Sequence, residues 1–168
     1  MEYVICVDKQ NNEIWTMEKI QAHEWSGTLH RAFSVTISNK KWEILLQQRA
    51  LTKYHCPWLR ANSCCSHPRK WESTLNAAQR RTQEELGVSC DLVEGESFIY
   101  HADCGNNLVE YEYDTIFEWT IDIEKIPFNS EEVMNIKWVN IEELKASMER
   151  YPELYTPRFH EIAKVLWK

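Results

Sequence analysis

Between Val109 and Trp119 the chain alternates two kinds of side chain, and extended backbone is what separates them. Glu110, Glu112 and Asp114 fall on one face, with Tyr111, Tyr113, Phe117 and Trp119 on the other, because successive side chains of a strand point to opposite sides. A different period runs from Ser73 to Leu86. There Leu75, Ala78, Thr82 and Leu86 recur at helical spacing, with Ser73 or Thr74 as cap and Gly87 as the stop. Around this strand and this helix the pattern predicts further elements. Tyr3, Ile5 and Val7 alternate as a strand, Lys9 to Asn12 turn, and Ile14 to Met17 return. Ala32 to Ser38 and Trp42 to Gln48 read as a hairpin around Asn39, Lys40 and Lys41, and a long loop carrying Pro57 and Pro68 follows. Ile136 to Val139 reads as a strand, Asn140 with Glu143 three residues on caps a helix, and Thr156 followed by Pro157 opens the last one. Mixed strands with a central and a C-terminal helix fit an α/β sandwich.

A chain of 168 residues, 43% of them hydrophobic, with eight Trp and only four Gly, suffices for one well-packed domain and is short for two. Residues 1–168 therefore read as a single domain. The opening MEYVICVDKQ mixes acidic and basic residues with no apolar run long enough for a signal sequence or membrane span, so the expectation is a soluble, cytoplasmic protein. Six cysteines in such a context read as reduced thiols. Cys64 and Cys65 are adjacent and the other four stand alone without CxxC spacing, which excludes a zinc ribbon. The net charge of −7 argues against a nucleic-acid backbone as partner, which needs clustered Lys and Arg.

Three histidines and two carboxylates stand out against that background. His23 and His30 precede a strand, His67 lies in NSCCSHP, and Glu110 and Glu112 lie in VEYEYD, with Cys65 two residues before His67. Imidazole with carboxylate is a mixture that divalent transition metals favour. Taken singly, a histidine before a strand is ordinarily a surface or satisfied core residue, and a Glu110/Glu112 pair is ordinarily a solvated stripe. Their joint occurrence carries the inference. Glu84 and Glu85 sit in the last turn of the central helix, where negative charge opposes the helix dipole. Either Arg80 and Arg81 compensate them at i,i+4, or one of them binds magnesium.

Read together, HRAFS, RALTK, NSCCSHP, RRTQEELG, VEYEYD and SEEV followed by KWV resemble the type I, Nudix-like isopentenyl diphosphate isomerases over nearly the whole chain. The resemblance implies a Nudix-like α/β/α sandwich with a mixed sheet. It implies that His23, His30, His67, Glu110 and Glu112 bind one divalent metal, Mn2+ or Zn2+, and that Cys65 and Glu112 are the catalytic acid/base pair. Glu85 would hold Mg2+ on the diphosphate, and Lys19, Arg49, Lys53 and Arg81 match positions that contact phosphate. The implied reaction is isomerisation of isopentenyl diphosphate to dimethylallyl diphosphate for isoprenoid synthesis. The implied partner is a small diphosphate, with oligomeric state left open.

The departures from the pattern are informative. The Nudix hydrolase signature asks for Gly, five residues, Glu, seven residues, then Arg-Glu before paired glutamates; here Ser66 replaces the Gly, Glu72 and Arg80 fit, and Arg81 replaces the Glu. A guanidinium in place of a carboxylate removes a magnesium ligand and adds a phosphate clamp, so hydrolysis of a diphosphate becomes the second reading. Arg60 and Arg158 stand where the resemblance expects Trp. Aromatic faces stabilise a passing cation and an arginine repels it, so the expectation is that Arg60 or Arg158 turns toward the phosphate end of the pocket or toward solvent. A catalytically reduced, ligand-binding relative is the third reading.

Overall fold

The computed structural model describes residues 1–53, 56–123 and 125–167. Strand β1 (Tyr3–Val7) pairs antiparallel with β2 (Glu13–Glu18) across a turn that Asp8 closes, accepting from the amides of Gln10 and Asn12 at 2.9 Å. A short helix, α1 (Lys19–His23), follows β2 directly, capped by the Glu18 carboxylate. The spacing does not predict α1, yet this helix is what carries His23 inward.

The central hairpin is a hairpin only at its tip. Strand β3 (His30–Ser38) and strand β4 (Glu43–Arg49) meet at Ser38 and Ile44, where Asn39 Oδ1 accepts from the amides of Lys41 and Glu43. From there they part. Both strands are buried on both faces, so each needs a neighbour along its length. Strand β8 (Leu108–Thr120) runs parallel to the whole of β3, and β9 (Val133–Asn140) runs antiparallel to β4. The segment expected as a long loop contributes two short strands. These are β5 (Arg60–Ala61), paired with β4, and β6 (Cys64–Ser66), paired with β3. Strand β7 (Val93–Gly105), which the pattern leaves unassigned, forms a long antiparallel ribbon with β8. Among the described residues these strands make one mixed sheet of nine.

Helices cover both faces. Helix α2 (Thr74–Leu86) begins at the Ser73 cap and ends on Gly87 as its spacing predicts, and it packs Ala77, Ala78 and Leu86 against Phe33, Val35, Ile37, Leu45 and Phe117. On the other face lie α3 (Ile141–Arg150), a 3-10 turn at Pro152–Leu154, and α4 (Pro157–Leu166). Leu144, Met148, Phe159 and Ile162 meet Ile44, Leu46 and Ile116 there. Asn140 caps α3 through the amide of Glu142, and Thr156 caps α4 through that of Phe159. The result is the expected α/β/α sandwich. No helix among the described residues is long and apolar enough to cross a membrane.

Gly87 is a position where only glycine fits. Its φ is +69°, its amide closes α2 on the Gln83 carbonyl, and a Cβ would stand 2.8 Å from the Pro127 carbonyl oxygen. Gly87→Ala is expected to lower stability by about 1–3 kcal/mol, the range for a strained backbone. Urea unfolding measures it, and an unchanged midpoint contradicts it.

Candidate active site

The sheet sorts neighbouring side chains onto opposite faces, and this decides between the two adjacent cysteines. Cys64 faces α2 within the apolar core, whereas Cys65 faces the other layer, where its thiol donates to Asn62 Oδ1 at 2.8 Å and Ser34 lies opposite it in register. Register also aligns the polar row. His30 on β3, Glu112 on β8 and Tyr100 on β7 are direct cross-strand neighbours, and Glu110, Glu112 and Asp114 are all buried on that face. The solvated-stripe reading of these carboxylates is thereby overturned.

His23 from α1, His30 from β3 and His67 from the segment after β6 converge on Glu112. Their Nε2 atoms lie 3.7, 3.4 and 3.0 Å from Glu112 Oε1, and one ligand atom from each of the four residues falls within 4.8 Å of all the others. Nδ1 of His23 donates to the Lys19 carbonyl and Nδ1 of His30 to the Thr28 carbonyl, each at 2.7 Å. Those bonds leave both Nε2 lone pairs pointing into the cluster, the arrangement in which imidazoles serve as ligands. His30 Nε2 is 3.2 Å from His67 Nε2, so the two cannot both carry protons. Burial pushes the His67 pKa well below its ordinary value, against the pull of Glu112. Three imidazoles around one carboxylate oxygen are a donor set that fits a divalent transition ion.

Glu110, expected in the same shell, is outside this group of four. It is paired with Arg158. The arginine's side chain is buried, so it is not turned to solvent, and it lines the cavity described below. Its Nη2 donates to Glu112 Oε1 at 2.5 Å and to Glu110 Oε1 at 3.2 Å, and its Nε donates to the Tyr100 hydroxyl at 2.7 Å. Tyr100 in turn donates to Glu112 Oε2 at 2.6 Å and lies 3.2 Å from Glu110 Oε2. Although burial works the other way, Arg158 and the three histidines hold the Glu112 pKa well below the usual carboxylate range. Burial drives the Cys65 thiol up to about 11 despite the nearby Arg158 charge, and drives Asp114 up to about 7 although Ser34 donates to it at 2.6 Å.

A cavity opens beside this centre. Cys65, His67, Glu110 and Arg158 line it together with Lys19, Arg49, Lys53 and Arg81. Glu85 lines it too, buried, accepting from Arg81 and from Gln47 Nε2 at 3.3 Å. Both readings of the helix carboxylates thus meet in one place: Arg80 pairs with Glu84 and Arg81 with Glu85 at i,i+4, and Glu85 still faces the cavity. Lys53 bonds to Glu132, and Lys19 to Glu2 at 3.0 Å. Among the described residues no Trp, Tyr or Phe lines the cavity; Trp58 is about half exposed and Arg60 lies outside it. Sequence reasoning missed Tyr100, Ser34 and Asn62.

Comparison with known proteins places the chain among relatives. A NUDIX domain match covers residues 28–159. The chain is 47% identical over 161 residues to the Isopentenyl-diphosphate Delta-isomerase 2 of Photorhabdus laumondii, covering 96% of this chain and 90% of that protein. It is 44% identical over 165 residues to the Isopentenyl-diphosphate Delta-isomerase of Serratia proteamaculans, covering 98% and 91%. Among solved structures, a Deinococcus radiodurans protein superposes with TM-score 0.82 at 16% identity, covering 99% of this chain and all, 100%, of its own. A MutT protein from Methanosarcina mazei gives 0.63 at 18% identity, covering 83% and 96%. Those two likenesses establish the fold alone.

Proposed function

This chain belongs to the NUDIX domain family and, within it, to the isopentenyl-diphosphate Delta-isomerases, and on that premise we propose that it converts isopentenyl diphosphate to dimethylallyl diphosphate as a single cytoplasmic domain. The observation that carries the reading is a thiol, Cys65, lining a cavity together with Lys19, Arg49, Lys53 and Arg81, beside the buried cluster of His23, His30, His67 and Glu112. At neutral pH Cys65 keeps its proton and Glu112 has lost its own. Shifting a double bond by one position adds a proton at one carbon and removes one two carbons away, so it needs one donor and one acceptor at the same time.

Lys19, Arg49, Lys53 and Arg81 receive the diphosphate through charge-assisted hydrogen bonds. Glu85 would hold Mg2+ on the diphosphate. His23, His30, His67 and Glu112 would hold a second divalent ion, Mn2+ or Zn2+, whose positive charge would keep Glu112 ionised. Cys65 and Glu112 exchange the two protons with the hydrocarbon end while the surrounding layer keeps water from the tertiary, cation-like state. Loss of a ligand should then remove metal and activity together. In His67→Asn, elemental analysis is expected to find the ion depleted, and full occupancy would strike His67 from the ligand set.

Proton NMR of the purified chain with isopentenyl diphosphate, Mg2+ and Zn2+ in deuterated water tests the reaction. Dimethylallyl product carrying deuterium is expected. Release of inorganic phosphate without isomerisation, or no change in the substrate, overturns the proposal.

A further inference from the structure

The reaction proposed above gives Arg158 no task, yet it bonds to three side chains of the site, Tyr100, Glu110 and Glu112. We infer that Arg158 is a resident counter-ion that keeps Glu110 out of the metal shell, so that this chain holds its divalent ion with four protein ligands, His23, His30, His67 and Glu112, and more weakly than its donors allow. The inference rests on the metal-centre reading above. Glu110 and Glu112 are two residues apart on one strand face, separated by roughly 6.8 Å at the backbone, so their carboxylates share an ion only if both side chains lean together. They do lean together, and the place from which one cation reaches Oε1 of both is held by Arg158 Nη2, while the Tyr100 hydroxyl reaches Oε2 of both.

That geometry sets up a competition for one atom. Glu112 Oε1 is the oxygen on which the three imidazole Nε2 atoms converge, and it is also the oxygen that Arg158 donates to at 2.5 Å. An ion held by the cluster would compete with the guanidinium for that oxygen. Arg158 then keeps two other partners already in place, the Tyr100 hydroxyl at 2.7 Å through Nε and Glu110 Oε1 at 3.2 Å through Nη2. Tyr100 continues to hold Glu112 Oε2. Glu110 therefore neutralises Arg158 and not the ion, and a buried cation beside the shell opposes the charge of the ion.

The test is metal binding, read without turnover. Chain stripped by a chelator is titrated with Co2+ against a chromophoric chelator, and the visible spectrum of the bound Co2+ is recorded. Glu110→Gln is expected to change Co2+ affinity by less than about fivefold and to leave the spectrum superimposable on the parent's. Arg158→Gln is expected to raise affinity about 10–100-fold, the range exerted by groups just outside a metal shell. In that background Glu110→Gln should lower affinity and alter the spectrum. A tenfold or greater loss with an altered spectrum for Glu110→Gln in the parent makes Glu110 a ligand and overturns the inference while leaving the metal centre standing. Failure of the parent to bind Co2+ stoichiometrically overturns both. Should Arg158→Gln not fold, the parent and Glu110→Gln decide the matter by themselves.

Discussion

Cys65→Ala is expected to lower isomerase turnover by about 10²–10⁴-fold, the usual contribution of a positioned acid or base, while bound metal stays at the parent level. The thiol lines the cavity and burial raises its pKa to about 11, so its removal deletes one half of the proposed exchange without touching Lys19, Arg49, Lys53 or Arg81. Cys64→Ala is the matched control, since the two residues have the same chemistry and adjacent positions on β6. Cys64 points the other way, into the apolar layer beneath α2, and its thiol is fully buried. Its truncation should cost about 1 kcal/mol of stability and leave kcat unchanged. Steady-state kinetics on both variants decides it: equal losses would mean that strand parity has been read wrongly and that the reactive thiol is the other one.

That parity shows where the sequence was readable and where it was not. Strand β8 was legible because its period of two is written in charge against aromatics, and α2 was legible because Ser73 and Gly87 do at its ends what those residue types do elsewhere. The paired helices and mixed sheet followed from them. Strand β7 gave no such signal. Only Tyr100 of its residues is buried, so there is no apolar alternation to detect, and the phenol became visible as a site residue only once register set it against Glu112. Strand β6 is three residues long, below what any period can reveal, yet it is what separates Cys64 from Cys65. Histidine and carboxylate types pointed to a metal centre from sequence alone. How many of them converge did not follow, because that depends on a contact between Arg158 and carboxylates 46 and 48 residues away on another element.

Arg158→Leu is expected to destabilise the metal-free chain by about 3–5 kcal/mol, the range for removing one partner from a buried ion pair. The guanidinium is the shared cation of Glu110 and Glu112, and without it two buried carboxylates lose that charge, while Tyr100 and the three histidines still contact Glu112. The effect should depend on pH in a definite direction. In the parent, the depressed pKa of Glu112 means that the unfolded chain binds more protons than the folded one as pH falls below the ordinary carboxylate value. Its contribution is therefore complete above that value and is lost as pH drops through the folded pKa. In the variant the main depressing charge is gone and burial raises the carboxylate pKa instead. The folded chain then binds the extra proton, and stability from that group falls as pH rises. The difference between parent and variant must consequently widen from pH 5 to pH 8. Urea unfolding in the presence of a chelator at the two values measures it. A difference that stays constant, or is larger at pH 5, would show that the carboxylates find another counter-charge and that Arg158 is not what holds them ionised. Added divalent ion should narrow the gap, because an ion that binds only the folded chain stabilises it in proportion to its affinity, and the variant has the tighter site.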